Sequence, residues 1–333
     1  MHVLITGATG YIGSHMSVLL IETGHQVTMI DNLSRSSKSV IDRIADITGT
    51  SPTFYQADLL DKQRLTEVFS REHPDAVIHF AALKEVGESV RHPLRYYRNN
   101  VAGSINLFDV MQDHDLRSIV FSSSCAVYGN PESVPISEEA PLQPISPYGR
   151  TKACVEQVLR DLAQSDSRWN TLLLRYFNPI GAHPSGKIGQ FAQGEPSTLL
   201  PYITKVANGE LKELSVFGDD YPTRDGTPVR DYIHIMDLVE GHLSALEELS
   251  EEPGIEAYNL GTGTGYSVLE VIETFEEATG QQVPYSVSER REGDVVRCFA
   301  NPSKAIEELD WRPERNLYDM CLDAWNWTRN QGM

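Results

Sequence analysis

Short apolar runs alternate with helix-periodic polar stretches through the first half of the chain: HVLIT at 2–6, QVTMI at 26–30, AVIHF at 76–80, SIVFS at 118–122 and TLLLRY at 171–176. Each is about five residues long and apolar on both alternating faces, the pattern of a strand buried by helices on both sides. Strand and helix in alternation predict an α/β chain with a Rossmann-type, doubly wound parallel sheet. Near residue 177 the texture changes to the Gly- and Pro-rich loop NPIGAHPSGKIGQFAQGEPS, followed by shorter mixed elements. A smaller C-terminal α/β substrate domain is expected there. The run EAYNLG at 256–261 reads as one more buried strand. The expected division is therefore a nucleotide-binding domain over 1–177, with a returning segment near 230–262, and a substrate domain over 178–333.

Charge and cysteine usage narrow the function classes. The 333 residues carry a formal charge of −19, which opposes binding to nucleic acid or an anionic membrane because a polyanion is repelled unless bases cluster locally. Cys125, Cys154, Cys298 and Cys321 lie far apart, with neither zinc-site spacing nor the density of a disulfide scaffold. No metal site is expected, and a reducing cytoplasm fits. The chain enters a strand at once, without the basic start and apolar core of a leader, and no run nears the roughly 18 apolar residues of a membrane span.

The stretch TGATGYIGSH places Gly7, Gly10 and Gly13 directly after a strand and before a helical pattern. Glycine there permits a tight turn, close approach of backbone N–H groups to a pyrophosphate, and close packing of helix on strand. The spacing is G-x-x-G-x-x-G, with no G-K-[ST] to make a triphosphate loop. Asp31 closes the second strand, where a carboxylate accepts from an adenosine ribose and repels a 2′-phosphate. NAD is expected rather than NADP.

In SPYGRTKACVEQVL, Tyr148 and Lys152 stand four apart at a helix start, on one face. A nearby ammonium stabilises a phenolate, which makes Tyr148 a feasible base. Upstream, FSSSCAVYG delivers Ser122, Ser123 and Ser124 to the carboxyl edge of the sheet, where a hydroxyl can pass a proton between substrate and phenol.

Taken together, TGATGYIGSH, SSSCAVYG and YGRTK resemble the extended short-chain dehydrogenase/reductase superfamily. FAALKEVGESV, YYRNNVAGS, LLRYFNPIGAHPSG, VFGDDYPTRDGTPVRDYIH and RREGD narrow the resemblance to its UDP-glucose 4-epimerase family, over essentially the whole chain. The resemblance implies a tightly bound NAD regenerated in each cycle and a UDP-sugar substrate. Tyr148 would take the 4-hydroxyl proton, Lys152 would bind the nicotinamide ribose and lower the Tyr148 pKa, and Ser124 would hydrogen-bond the 4-oxygen. It further implies cofactor contacts at Tyr11, Ile12, Asp31, Asn32, Asp58, Leu59, Phe80, Ala81, Lys84, Asn99, Ser122 and Tyr176, beside the glycines. Asn178, Thr198, Leu199, Phe217, Arg230, Tyr232, Arg291, Asp294 and Cys298 match positions that hold the UDP-sugar. Both arginines can offer forked donors to the diphosphate, and Asp294 can accept from the uridine ribose. The helices around 95–113 and 148–165 carry apolar residues beyond one face, and the family pairs them with their twins, so a homodimer through a four-helix bundle is expected.

Two departures bear on specificity. PSTLLPYI stands where the family commonly has PNNLMPYI, so Thr198 replaces an Asn that helps hold the nucleotide. Cys298 occupies the position beside the sugar's 2-substituent, where a tyrosine restricts the family to plain hexoses and a small residue admits an N-acetyl group. Turnover of UDP-N-acetylglucosamine and UDP-N-acetylgalactosamine is therefore expected as well. The alternatives are an epimerase restricted to another UDP-sugar such as UDP-glucuronate, or a non-catalytic NAD-sensing protein. A 4,6-dehydratase would need an Asp-Glu pair where Cys125 and Ala126 stand.

Overall fold

Seven parallel strands form the large sheet of this computed structural model, which describes residues 1–191, 196, 198–249, 253–291 and 294–331. They are β1 (His2–Thr6), β2 (Gln26–Asp31), β3 (Thr53–Gln56), β4 (Ala76–His79), β5 (Ser118–Ser122), β6 (Asn170–Tyr176) and β10 (Gly254–Leu260), in the order 10-6-5-4-1-2-3. Successive residues of each strand serve opposite faces. Val3, Ile5, Met29, Ile78, Val120 and Leu174 join one buried cluster with helices α1 (Tyr11–Glu22), α2 (Ser39–Thr48) and α9 (Ile235–Glu248). Leu4, Ile30, Val77, Ile119, Phe121 and Leu173 join the other, with α3 (Lys62–Glu72), α6 (Gly103–Asp113) and α7 (Pro147–Ser165). This two-sided burial is why the strands read as continuous apolar runs.

The sequence SPYG sets the start of α7. Ser146 caps the helix, its hydroxyl accepting from the Gly149 N–H at 3.1 Å, and Pro147 occupies the first turn, where its missing N–H costs nothing. Between β4 and α6 run α4 (Val86–Arg91), α5 (Pro93–Tyr96) and a π-helical turn, Tyr97–Ala102. The periodicity over 95–113 predicts one helix; the wide turn interrupts it, as such turns often do at functional sites.

Beyond β6, β7 (Asn178–Ile180), β9 (Val229–His234), β11 (Gly265–Ser267) and β13 (Arg297–Cys298) make a small mixed sheet, and β8 (Leu214–Phe217) pairs with β12 (Tyr285–Ser288). Helices α8 (Leu199–Ala207), α10 (Val268–Thr279) and α12 (Leu317–Asn330) close a separate core around Ile203, Phe275, Met320 and Trp325, while α11 (Ser303–Glu308) packs near β10. Of the segment near 230–262, only β10 enters the large sheet. Tyr232–His234 of β9 pairs in parallel with Asn178–Ile180, which follows β6 and draws β9 into the smaller sheet. Among the described residues no helix is long and apolar enough to cross a membrane.

Candidate active site

The carboxyl ends of β1, β2, β4, β5 and β6 converge on one edge, the position where ligands of open α/β sheets bind. The turn after β1 is built so that only glycine fits. Gly7 adopts φ +68°, and a Cβ there would lie 2.8 Å from the Ala81 backbone nitrogen. At Gly13 a Cβ would lie 2.3 Å from the Gly7 carbonyl oxygen. No side chain caps α1 at Gly10, so its first-turn N–H groups remain available to an anion. At the end of β2, Asp31 accepts from the Thr9 and Leu33 N–H groups at 3.2 and 2.8 Å. Asn32 donates to Asp58 at 2.9 Å, joining the ends of β2 and β3. Leu59, buried beneath the following loop, receives Asn106 on its carbonyl at 3.0 Å. Cradle, helix start and terminal carboxylate together fit a dinucleotide.

Several predicted cofactor positions also have internal duties. Tyr11 donates to the Gly181 carbonyl at 2.7 Å, and Ile12 packs on the core. The Phe80 ring lies 5.0 Å from that of His242, and the Ala81 N–H reaches Thr6 Oγ1 at 3.3 Å. Asn99 sits in the π turn and donates to Asn100, whose amide bonds both the Leu83 carbonyl and Thr151. Lys84 is exposed on the loop after β4.

At the end of β5 the three serines diverge. The Ser122 hydroxyl bonds His242 Nε2 at 2.8 Å and also meets the Tyr176 phenol. Since His242 Nδ1 faces the Leu238 carbonyl at 2.9 Å, Nδ1 carries the proton and Nε2 accepts from Ser122. Ser124 caps the short 3₁₀ turn Cys125–Val127 and hydrogen-bonds Tyr148. Tyr148 is buried against Leu83 and Tyr96. Burial pushes its phenol up to about 12, and the Ser124 hydrogen bond pulls the other way. Lys152, buried, donates to the Ser122 carbonyl at 2.6 Å, and burial pushes its ammonium down to about 7. Ser124 is thus the hydrogen-bond partner that eases Tyr148 ionisation, and Lys152 reaches the strand end beside it.

A second group gathers on the smaller sheet. Asp294 is held by Arg291 through two hydrogen bonds of 3.2 and 3.1 Å and by Arg230 at 3.8 Å, and the Arg291 guanidinium lies 5.4 Å over the Phe217 ring. Glu292 and Gly293 of the same RREGD stretch lie outside the described residues. Burial raises the neighbouring Tyr232 phenol to about 12. Asn178 donates to the Asp231 carbonyl at 2.8 Å. Cys298 pairs in register with Arg230, and its thiol hydrogen-bonds that of Cys125, next to Ser124. The two groups thus meet across this thiol pair. Leu199 opens α8 over the separate core, and Thr198 stands exposed before it, its hydroxyl 3.3 Å from Gln190.

Asn100, His242, Glu156 and Arg175, all buried polar residues that link these strand ends, are given no role by the motifs recognised in the sequence. An Asn, His, Glu or Arg inside an otherwise apolar strand or helix face was the available signal.

A family model described as the NAD dependent epimerase/dehydratase family matches residues 3–261. A UDP-glucose 4-epimerase of Bacillus subtilis (strain 168) is 54% identical over 327 residues, 98% of this chain and 96% of its own length. The crystal structure of a UDP-glucose 4-epimerase from Stenotrophomonas maltophila with bound NAD and formylated UDP-arabinopyranose is similar at TM-score 0.98 and 50% identity, covering 100% of this chain and 99% of that one. That of a UDP-glucose 4-epimerase from Bifidobacterium longum in complex with NAD+ and UDP gives 0.97 at 46% identity, again covering 100% and 99%.

Proposed function

This chain belongs to the NAD dependent epimerase/dehydratase family, and we propose that it interconverts UDP-glucose and UDP-galactose by reversible epimerisation at C4. The observation that carries the reading is the hydrogen-bonded Tyr148–Ser124 pair, set at the sheet edge between the glycine cradle and the Arg230–Asp294–Arg291 group. In this reading residues 1–177 carry the cofactor and 178–333 the nucleotide of the substrate.

Gly7, Gly10, Gly13 and the α1 N-terminus would hold the pyrophosphate of NAD, Asp31 its adenosine ribose, and Lys152 its nicotinamide ribose. When bound, NAD supplies a hydride acceptor for C4 and a positive charge that favours the phenolate. Tyr148 takes the proton of the sugar 4-hydroxyl, and Ser124 hydrogen-bonds the 4-oxygen and relays between the two. Arg230 and Arg291 hold the diphosphate and leave the hexose free to turn about its bond to it. The 4-keto sugar would then present its opposite face, C4 regaining the hydride it gave up while Tyr148 returns the proton to the 4-oxygen. No net oxidation results.

The contact of Cys298 with Cys125 puts one small thiol against another, within a cluster that includes Val127, Phe177 and Ala300. A thiol is smaller than the tyrosine that the resemblance places beside the sugar's 2-position, and this difference in side-chain volume is what favours a 2-acetamido group, hence turnover of UDP-N-acetylglucosamine and UDP-N-acetylgalactosamine. Chromatography of reactions supplied separately with UDP-galactose and UDP-N-acetylgalactosamine, without added cofactor, tests both levels. Conversion of both is expected; conversion of UDP-galactose alone removes the wider specificity, and conversion of neither removes the epimerase. Cys298→Tyr should lower turnover of the N-acetyl sugar by at least about a hundredfold through overpacking while UDP-galactose turnover stays within about threefold.

Association into a homodimer is supported by the apolar residues Val90, Leu94, Tyr97 and Ile105, carried on successive helical segments between 86 and 113 and exposed, Leu94 to 78%. Packed on their twins together with α7, these segments form a four-helix bundle, since so large an exposed apolar stripe marks an interaction surface. Light scattering should report a dimer, and Leu94→Glu/Ile105→Glu a monomer; a monomeric parent protein would refute this. The four free thiols fit a reducing cytoplasm.

A further inference from the structure

Three successive turns of one helix meet three successive residues of one strand end. Tyr148, Lys152 and Glu156 are spaced four apart on α7 and share a face. Tyr148 bonds Ser124, Lys152 bonds the Ser122 carbonyl, and the Ser123 hydroxyl donates to Glu156 Oε1 at 2.5 Å. The first two contacts belong to the reaction already described. Glu156 has no place in it.

A fully buried carboxylate is rare unless paired. Glu156 is 1% exposed, and Arg175, 2% exposed, grips it with a fork: Nε to Oε1 at 3.0 Å and Nη2 to Oε2 at 2.7 Å. The remaining Arg175 nitrogen donates to the Tyr128 hydroxyl and the Glu138 carbonyl, at 3.1 and 3.0 Å. Tyr128 continues to Asn259 on β10. The carboxylate is thus fixed from the end of β5 and from β6, with β10 joined to it through Arg175 and Tyr128. Stability alone does not account for it, because well-packed apolar residues commonly replace a buried ion pair without loss.

We propose that Glu156 is a positioning residue for the epimerisation: clamped by Arg175, it fixes Ser123, and through it the Ser122 carbonyl that receives Lys152 and the Ser124 hydroxyl that meets Tyr148. The inference rests on the epimerase reading. Burial drives Lys152 toward the neutral amine, and Glu156 is the charge that opposes this. The other groups facing Lys152 do not replace it. The Phe121 ring from β5 lies 4.8 Å away and carries no charge, burial raises the Tyr148 phenol on α7, and burial lowers His79 from β4 to about 3, leaving it neutral near pH 7. Glu156 itself faces Arg175 from β6 and Ser123 from β5, with Tyr128 and Glu138 beyond. Loss of its charge lowers the Lys152 pKa further, so the ammonium, and activity with it, disappears at a lower pH.

The test compares kcat and KM for UDP-galactose across pH, with melting temperature and bound NAD, in the holoenzyme and its Glu156→Gln and Ser123→Ala variants. Glu156→Gln should lower kcat at pH 8 by at least about tenfold with KM within about twofold, and move the alkaline limb to lower pH. Ser123→Ala should lose about three- to tenfold in kcat with its melting temperature and alkaline limb unchanged. A folded Glu156→Gln protein with wild-type kcat and pH profile, or one whose loss is uniform in pH and matches its loss of folded protein, overturns the proposal, as does Ser123→Ala at wild-type rate. Should Glu156→Gln not fold, Glu156→Gln/Arg175→Met, which removes both ends of the pair, is judged by the same criteria. A wild-type protein that retains NAD yet leaves UDP-galactose unchanged overturns the epimerase reading itself, which separates the two failures.

Discussion

Tyr148→Phe is expected to lower kcat for UDP-galactose by about a thousandfold, within the range that positioned acid–base groups contribute. The substitution removes one oxygen and leaves the ring packed on Leu83 and Tyr96, so the site should keep its shape. Its Ser124 hydrogen bond is lost, and with it the phenol that exchanges a proton with the 4-oxygen. KM and bound NAD should stay near wild type, which identifies a proton-transfer defect rather than a binding one. A variant with normal kcat would assign the base to another group. Ser124→Ala should show a smaller loss, because Ser124 only passes the proton on and Tyr148 is the base on which it comes to rest.

Gly13→Ala should produce a protein that purifies without NAD and has lost at least about a hundredfold in activity. The added Cβ meets backbone: Gly7 oxygen at 2.3 Å and Ala8 Cα at 2.7 Å. Neither can rotate away, so α1 must withdraw from the β1 turn and the cradle opens. Overpacking of this kind costs about 1–3 kcal/mol, and the melting temperature should fall accordingly. Gly24 is the control: it has φ +85° but nothing within 4 Å of a Cβ. Gly24→Asn, with a residue that tolerates the left-handed region, should keep its cofactor. NAD content by absorbance after denaturation reads both variants, and equal content in the two would refute the cradle assignment.

The parallel strands were legible because both faces are buried, which turns β1, β2, β4, β5 and β6 into unbroken apolar runs. β3, at the sheet edge with half-exposed residues, carries no such run and escaped the reading. The strands of the smaller sheet are two to six residues long and depend on distant partners, so local pattern could not place β9 against β7. The π turn was hidden because its wider period resembles a continued helix over six residues. At the site, the glycines, Asp31, Tyr148 and Lys152 could be found because their spacing itself implies chemistry. The convergence of Asp294 with Arg230 and Arg291 needed the family resemblance, since the two arginines lie on separate segments of the chain, one on β9 and the other beyond β12. Glu156 and Arg175 were invisible for a different reason: their meaning lies in a pairing between α7 and β6 that no local window contains.

If one enzyme molecule both breaks and remakes the C–H bond at C4, with Tyr148 managing only the hydroxyl proton, that hydrogen never reaches solvent. UDP-galactose carrying deuterium at C4, incubated with the purified protein in ordinary water and without added NAD, puts this to the test. The UDP-glucose formed should retain the deuterium at C4, as read by mass spectrometry and proton NMR. Deuterium lost to solvent would place the C4 chemistry on an exchangeable acid and rule out return of the hydride from NAD.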